Sequence, residues 1–144
     1  MTAIAEFIKV SWLFPVIQSV HLIGITLLVG TIALMDLRRL GLVLRRHEIS
    51  ALATDLSPWT AAGFLTIFLT GPLLFWADLG RYLVNPAFVV KMILLAVALV
   101  SHLTIHRAAV TPATQRLAAL ISLMLWAAVV LAGRAIADFD LRQA

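Results

Sequence analysis

No cysteine occurs among the 144 residues. That absence excludes disulfides, iron–sulfur clusters, covalently attached c-type haem, thiolate zinc sites and thiol nucleophiles together. Charge is scarce as well. Asp, Glu, Lys and Arg make up 12% of the chain, against about 25% in a soluble domain. There is no G-x-S-x-G, no paired-carboxylate site within the apolar runs and no Gly-rich phosphate loop, so hydrolase and nucleotide chemistry have no footing. The first charged residue is Glu6. No basic segment precedes the apolar stretch that follows, so a cleavable signal is not expected.

What is present is apolar. Hydrophobic residues make up 62% of the chain and mean hydropathy is +1.05. A water-soluble chain of this size cannot bury so much apolar surface. A cytosolic domain, a disordered chain and a nucleic-acid-binding module are thereby excluded, and the solvent must be largely lipid. The excess of eleven Lys and Arg over seven Asp and Glu does not point to nucleic acid. The positive charges sit between apolar runs, as membrane topology requires.

Four runs are long enough to cross a bilayer, at about 10–35, 59–77, 87–105 and 117–133. Ser57-Pro58 and Asn85-Pro86 read as helix starts before the second and third. Trp12, Trp59 and Trp76 fit interfacial belts. Residues 1–9, with Ile4, Phe7 and Ile8 at helical spacing, fit a short interfacial helix. Residues 47–57 read the same way on the other side. The expected fold is a single all-α integral membrane domain over 1–144: a four-transmembrane-helix bundle with a short N-terminal interfacial helix. Arg38, Arg39, Arg45 and Arg46 lie in one loop, and Arg107 and Arg116 in another. On the opposite face Lys9, Arg81, Arg134 and Arg142 are diluted by Glu6, Asp78, Asp138 and Asp140. The positive-inside rule puts the two basic loops in the cytoplasm and both termini in the periplasm of a bacterial inner membrane.

Inside lipid the informative residues are the polar ones. An ionisable group at mid-helix costs about 2.5–3.5 kcal/mol on insertion scales, so each is a functional candidate. They are Gln18 and His21 in the first span, Lys91, His102 and His106 in the third, and Arg134 at the end of the fourth. His21 and His102 are candidate metal or haem ligands, with interhelical hydrogen bonding as the plain alternative. Gly24, one turn from His21, admits a neighbouring helix or a flat ligand. Lys91 and His102 are eleven residues apart, about 20° from coincidence and about 16 Å of rise, so they share one helix face. Lys91 is either a snorkelling interfacial lysine or a counter-charge for a buried anion. His106, beside Arg107, reads as interfacial. Arg81, Lys91 and Arg134 can form an anion cradle, or Asp78, Asp138 and Asp140 can neutralise them. Trp126 falls mid-span, where it packs or lines a planar cofactor.

The third-helix segment NPAFVVKMILLAVALVSH resembles the K-x10-H helix of small four-helix membrane families typified by the CopD copper-resistance domain and the HemJ-type protoporphyrinogen oxidase. The segment VHLIGITLLVGTIALMDLRRLG is similar to their first helix, and His21, Gly30, Lys91 and His102 are the matching positions. The resemblance covers most of 11–134. It implies b-type haem in the bundle, or copper handling, in an uncharacterised family of this group. Leu28 and Val29 stand where those families often carry a tryptophan, and MDLRRL stands in place of L-P-R-L. These departures put porphyrin oxidation in doubt and leave haem binding open.

The expectation is therefore haem b for electron transfer or membrane redox chemistry. His21 and His102 would be ligands, and Lys91 and Arg134 propionate partners. If the chain is an enzyme, it is an oxidoreductase. Redox partners, other membrane subunits or further copies of the chain are the expected protein contacts. The rival readings are copper or ion transport between the two histidines, and a cofactor-free structural subunit. Span midpoints put His21 about 5 Å outward and His102 about 7 Å inward. Joint ligation of one iron is strained at those depths. Two haems, one haem on a single histidine, or no cofactor are the alternatives.

Overall fold

A computed structural model describes residues 3–108 and 111–141. Six helices follow one another: α1 Ala3–Val10, α2 Leu13–Arg39, α3 Ile49–Ala77, α4 Leu79–Val84, α5 Pro86–Ala108 and α6 Pro112–Leu141. No strand occurs among the described residues. α2, α3, α5 and α6 are each long and apolar enough to cross a membrane. The chain is an all-α four-helix membrane bundle with a short N-terminal helix. Here α1 and α4 mark one end of the bundle, and the arginine-rich segment 40–48 marks the other, the loop end.

Two of the long helices begin earlier than the sequence cues suggest. Ser57-Pro58 is not a start. α3 begins at Ile49 and carries Pro58 and Pro72 inside it. Proline costs a helix one backbone bond, and in membrane helices the freed groups are re-satisfied locally. Residues 49–57 are therefore the first turns of α3 rather than a separate interfacial segment. α6 begins at Pro112, not near Leu117. Thr111 and Thr114 cap it reciprocally, each side-chain oxygen accepting the other's backbone N–H at 3.2 and 3.0 Å. The helix also runs through Gly133 to Leu141. Asn85-Pro86 does start a helix. Asn85 Oδ1 accepts from the Ala87 N–H at 3.0 Å, and its buried amide donates to the Ile136 carbonyl at 3.1 Å, tying α5 to α6.

α2 and α3 form one antiparallel pair, α5 and α6 another, and α2 packs on α6 to join them. The first pair is stitched by small and hydroxylic residues. The Cβ of an alanine at Gly63 would lie 2.6 Å from the Leu28 nitrogen and 2.9 Å from the Gly24 carbonyl oxygen. Backbone thus meets backbone, as small residues permit in lipid. Thr60 donates to Thr31 at 2.8 Å on the same register, and Thr31 passes its own proton to the Leu27 carbonyl at 2.8 Å.

The core between the pairs is Leu28 and Ile32 of α2, Ala98 of α5, and Trp126 and Val129 of α6. Trp126 packs there at 2% exposure. Trp12 and Trp59 stay exposed, and Trp76 is at the edge of exposure, as belt residues do. Among the described residues α3 and α5 meet at the α4 end, where Phe75 stacks on Phe88. Phe75, Tyr82 and Phe88 bridge them at the α4 end, with ring centroids 5.1–6.2 Å apart. α1 is held by a 2.7 Å ion pair from Lys9 to Asp78. At the loop end Arg38 donates to the His47 carbonyl at 2.7 and 2.9 Å and folds the connection back. Gly41 takes φ +75° there, a conformation open to glycine.

Candidate functional site

His21 sits on the buried side of α2 against α3. Its Nδ1 lies 2.7 Å from Thr70 Oγ1. The Thr70 hydroxyl in turn donates to the Thr66 carbonyl at 2.6 Å. A hydroxyl has one proton to give. With that proton spent on Thr66, Thr70 can only accept from His21, so the imidazole proton resides on Nδ1. Nε2 is left as the lone-pair nitrogen, since the ring's hydrogen bond among the described residues is made by Nδ1. Ligand histidines are arranged in this way: one nitrogen is anchored by a neighbour, and the other is presented to the metal.

Lys91 of α5 lies within electrostatic range of the same imidazole. Its stem packs at 3.8–3.9 Å from where a Gly133 side chain would begin, and His21 Cε1 lies 3.5 Å from the corresponding point of Gly71. Two glycines thus leave room beside the two functional groups. Lys91 makes no ion pair among the described residues. Both His21 and Lys91 are half-buried.

His102 belongs to a different place. Lys91 faces Gly133, and Ala98 shares the core cluster with Trp126. That α5–α6 register brings His102 to the level of Ser122, about 16 Å from Lys91 along the helix. There it interacts with Asp36 and Arg39 of α2. The core cluster of Leu28, Ile32, Ala98, Trp126 and Val129 lies between the two histidines. The structure does not bring His21 and His102 to one depth. Arg134 is not brought to Lys91 either: its exposed guanidinium pairs along α6 with Asp138 at 2.8 Å. Arg81 lies over the Tyr82 ring, and Asp78 is used by Lys9. No anion cradle of three cations is assembled. Gly30 is open, with nothing within 4 Å of its Cβ position, while a Cβ added at Gly24 would lie 2.9 Å from the Thr66 side chain. The side chains of His106, Arg107, Asp140 and Arg142 lie outside the described residues.

The sequence cues missed Asp36. Beside Arg38 and Arg39 it looks like the polar end of a span. In the structure it has 0% exposure and a 3.0 Å ion pair with Arg39. Ser122 of α6 adjoins its carboxylate. The signal that could have found it is spacing. Leu28, Ile32 and Asp36 recur every four residues, so Asp36 continues the stripe that faces the core.

No group of three or more metal-ligating His, Cys, Asp or Glu side chains occurs among the described residues. A metal brought in by a macrocycle, needing one protein nitrogen, is compatible with His21. Two surface concavities, one lined by Glu6, Phe7, Val10 and Ser11 and one by Pro86, Ala87, Ala135, Asp138 and Phe139, touch neither histidine.

No curated protein and no solved structure matches the chain. A family model does match, over residues 11–139, which takes in all four long helices. The chain belongs to DUF6644, a family of unknown function.

Proposed function

We propose that this chain is a membrane haem protein in which His21 is the single protein ligand of a b-type haem. The observation that supports this is the hydrogen-bond chain from His21 through Thr70 to Thr66, which leaves Nε2 as a free lone pair within a membrane helix. Lys91 is the partner for a propionate. A half-buried ammonium within a span and without a carboxylate calls for an anion, and haem supplies carboxylates together with an iron that needs an imidazole. His102 stands outside the ligand set because it lies at another depth. Arg134 stands outside the propionate set because Asp138 already engages it.

When bound, the haem supplies one-electron chemistry, which fits electron transfer or membrane redox work. The protein's own residues orient and insulate. Thr70 holds the ring plane of His21. Gly71 and Gly133 keep side chains out of the space beside it. Lys91 balances charge. Any catalysis would be that of an oxidoreductase, and any redox or subunit partner would approach within the bilayer or at its surfaces. The setting is a bacterial inner membrane with both termini periplasmic.

Ion or copper transport is the weaker reading. The intramembrane carboxylate it needs exists in Asp36, but the apolar cluster of Leu28, Ile32, Ala98 and Val129 separates that end from His21. The test is an optical spectrum of purified protein, air-oxidised and then reduced with dithionite. A Soret band with α and β bands that sharpen on reduction is expected. His21→Ala should abolish it, and His102→Gln should keep it. A spectrum showing tryptophan absorption alone, after haem supplementation during expression, sinks the proposal. So does loss of the band in the His102 variant with retention in the His21 variant.

A further inference from the structure

We propose that Arg38, Arg45 and Arg46 form a binding site for the phosphate headgroup of an anionic phospholipid in the leaflet on the loop side. α2 ends at Arg39 and α3 begins at Ile49. Both are membrane spans, so the segment between them lies at a bilayer surface. That segment is folded, not slack. The Leu42 N–H donates to the Leu37 carbonyl at 3.0 Å and the Gly41 N–H to the Arg38 carbonyl at 2.9 Å. These bonds close the end of α2 on a left-handed glycine. The chain then turns back, with the His47 N–H donating to the Leu44 carbonyl at 3.0 Å.

The arginines belong to that fold. Arg38 donates to the His47 carbonyl from Nε and from a terminal nitrogen, which also reaches the Arg45 carbonyl at 3.3 Å. Arg45 Nε donates to the Gly41 carbonyl. Two guanidiniums are thereby held in place. Each carries five N–H donors, so donors remain for a ligand. Arg45 and Arg46 are exposed. Among the described residues none of the three arginines forms an ion pair. The opposite end of the bundle is different: there Asp78 neutralises Lys9, and Asp138 neutralises Arg134.

The neighbouring side chains identify the anion as a lipid. Leu42 is 62% exposed and Leu44 is 37% exposed. Charge that only fixes topology gains nothing from bare leucines beside it. A phospholipid uses both groups: its phosphate suits the planar guanidinium fork, which grips two oxygens at once, and its acyl chains cover the leucines. A free phosphate uses only the fork. A zwitterionic lipid brings its own cation, which competes with the arginines for the phosphate.

The test is native mass spectrometry of the detergent-purified protein titrated with dioleoylphosphatidylglycerol, dioleoylphosphatidylcholine or inorganic phosphate. The expected result is a phosphatidylglycerol adduct that survives at activation energies which strip phosphatidylcholine. Arg45→Gln with Arg46→Gln should weaken its retention by about 5-fold per arginine, the usual contribution of a basic residue at the membrane surface. Arg134→Gln removes a charge at the other end and should leave retention unchanged. Equal retention of the two lipids overturns the proposal, and so does an equal loss in the Arg134 variant. Arg45→Lys with Arg46→Lys keeps every charge, so wild-type retention in that variant would reveal a diffuse charge effect and overturn the built site. Binding of inorganic phosphate as tight as that of the lipid overturns the assignment to a lipid. Should the double Gln variant fail to fold, Arg46→Gln alone decides, because no hydrogen bond of its guanidinium holds the segment. The adducts are counted by mass whether or not His21 carries a haem, so failure here and failure of the haem reading are distinguishable.

Discussion

The proton on the His21 imidazole is placed by a hydroxyl one helix away. Thr70 receives it at 2.7 Å only because the hydroxyl's own proton goes to Thr66. Thr70→Val keeps the shape and removes the acceptor. If His21 holds a haem, the variant should weaken haem affinity about 10–100-fold, the usual effect of losing the group that orients a ligand histidine. Titration of haem into both proteins measures this, and equal affinities would show that the anchor is irrelevant to binding. At this scale sequence reading went part of the way. An imidazole in a span draws attention by its cost in lipid. Its neighbours draw it in another sense: Thr66, Thr70, Gly71 and Pro72 read in sequence as a kink or tight helix contact, and nothing in sequence pairs Thr70 with an imidazole on another helix. Asp36 escaped for the opposite reason: two arginines beside it look like a membrane boundary, and only packing shows that α6 covers it.

Between elements, the pairing of α2 with α3 rests on close backbone approach. Gly63→Ala places a methyl group 2.6 Å from backbone nitrogen, where no side-chain rotation relieves it. The helices must part, at a cost of about 1–3 kcal/mol as in other overpacked cores. Gly30→Ala meets nothing within 4 Å and should change stability little, or raise it by about 0.4–1 kcal/mol through the unfolded chain. Thermal unfolding of the two variants in detergent checks the contrast, and similar melting temperatures would refute it. The four apolar runs were legible because the bilayer sets their minimum length. Their true starts were not. Pro58 resembles a first-turn proline until it is seen inside α3, and Thr111-Pro112-Ala113-Thr114 becomes a cap only once its two side chains meet the two backbone groups.

Taken whole, the molecule has both ends on one face, with the arginine-rich connection on the other. The absence of cysteine makes this measurable. In intact cells, Arg46→Cys should be shielded from an impermeant maleimide and Ser11→Cys should be labelled. Labelling of the first and not the second would invert the topology and place the termini in the cytoplasm. Composition and the spacing of apolar runs determined by themselves that this is a four-span helical membrane protein, because lipid leaves backbone groups few ways to be satisfied. They also picked out His21, Lys91 and His102, because charge and imidazole are costly there. Which of these act together was decided only by the tertiary structure. Side-chain partnership depends on helix register and rotation, and those are set by contacts such as Gly24 on Gly63 and Lys91 on Gly133. That register puts His21 with Thr70 and Lys91 at one end of the bundle and His102 with Asp36 at the other.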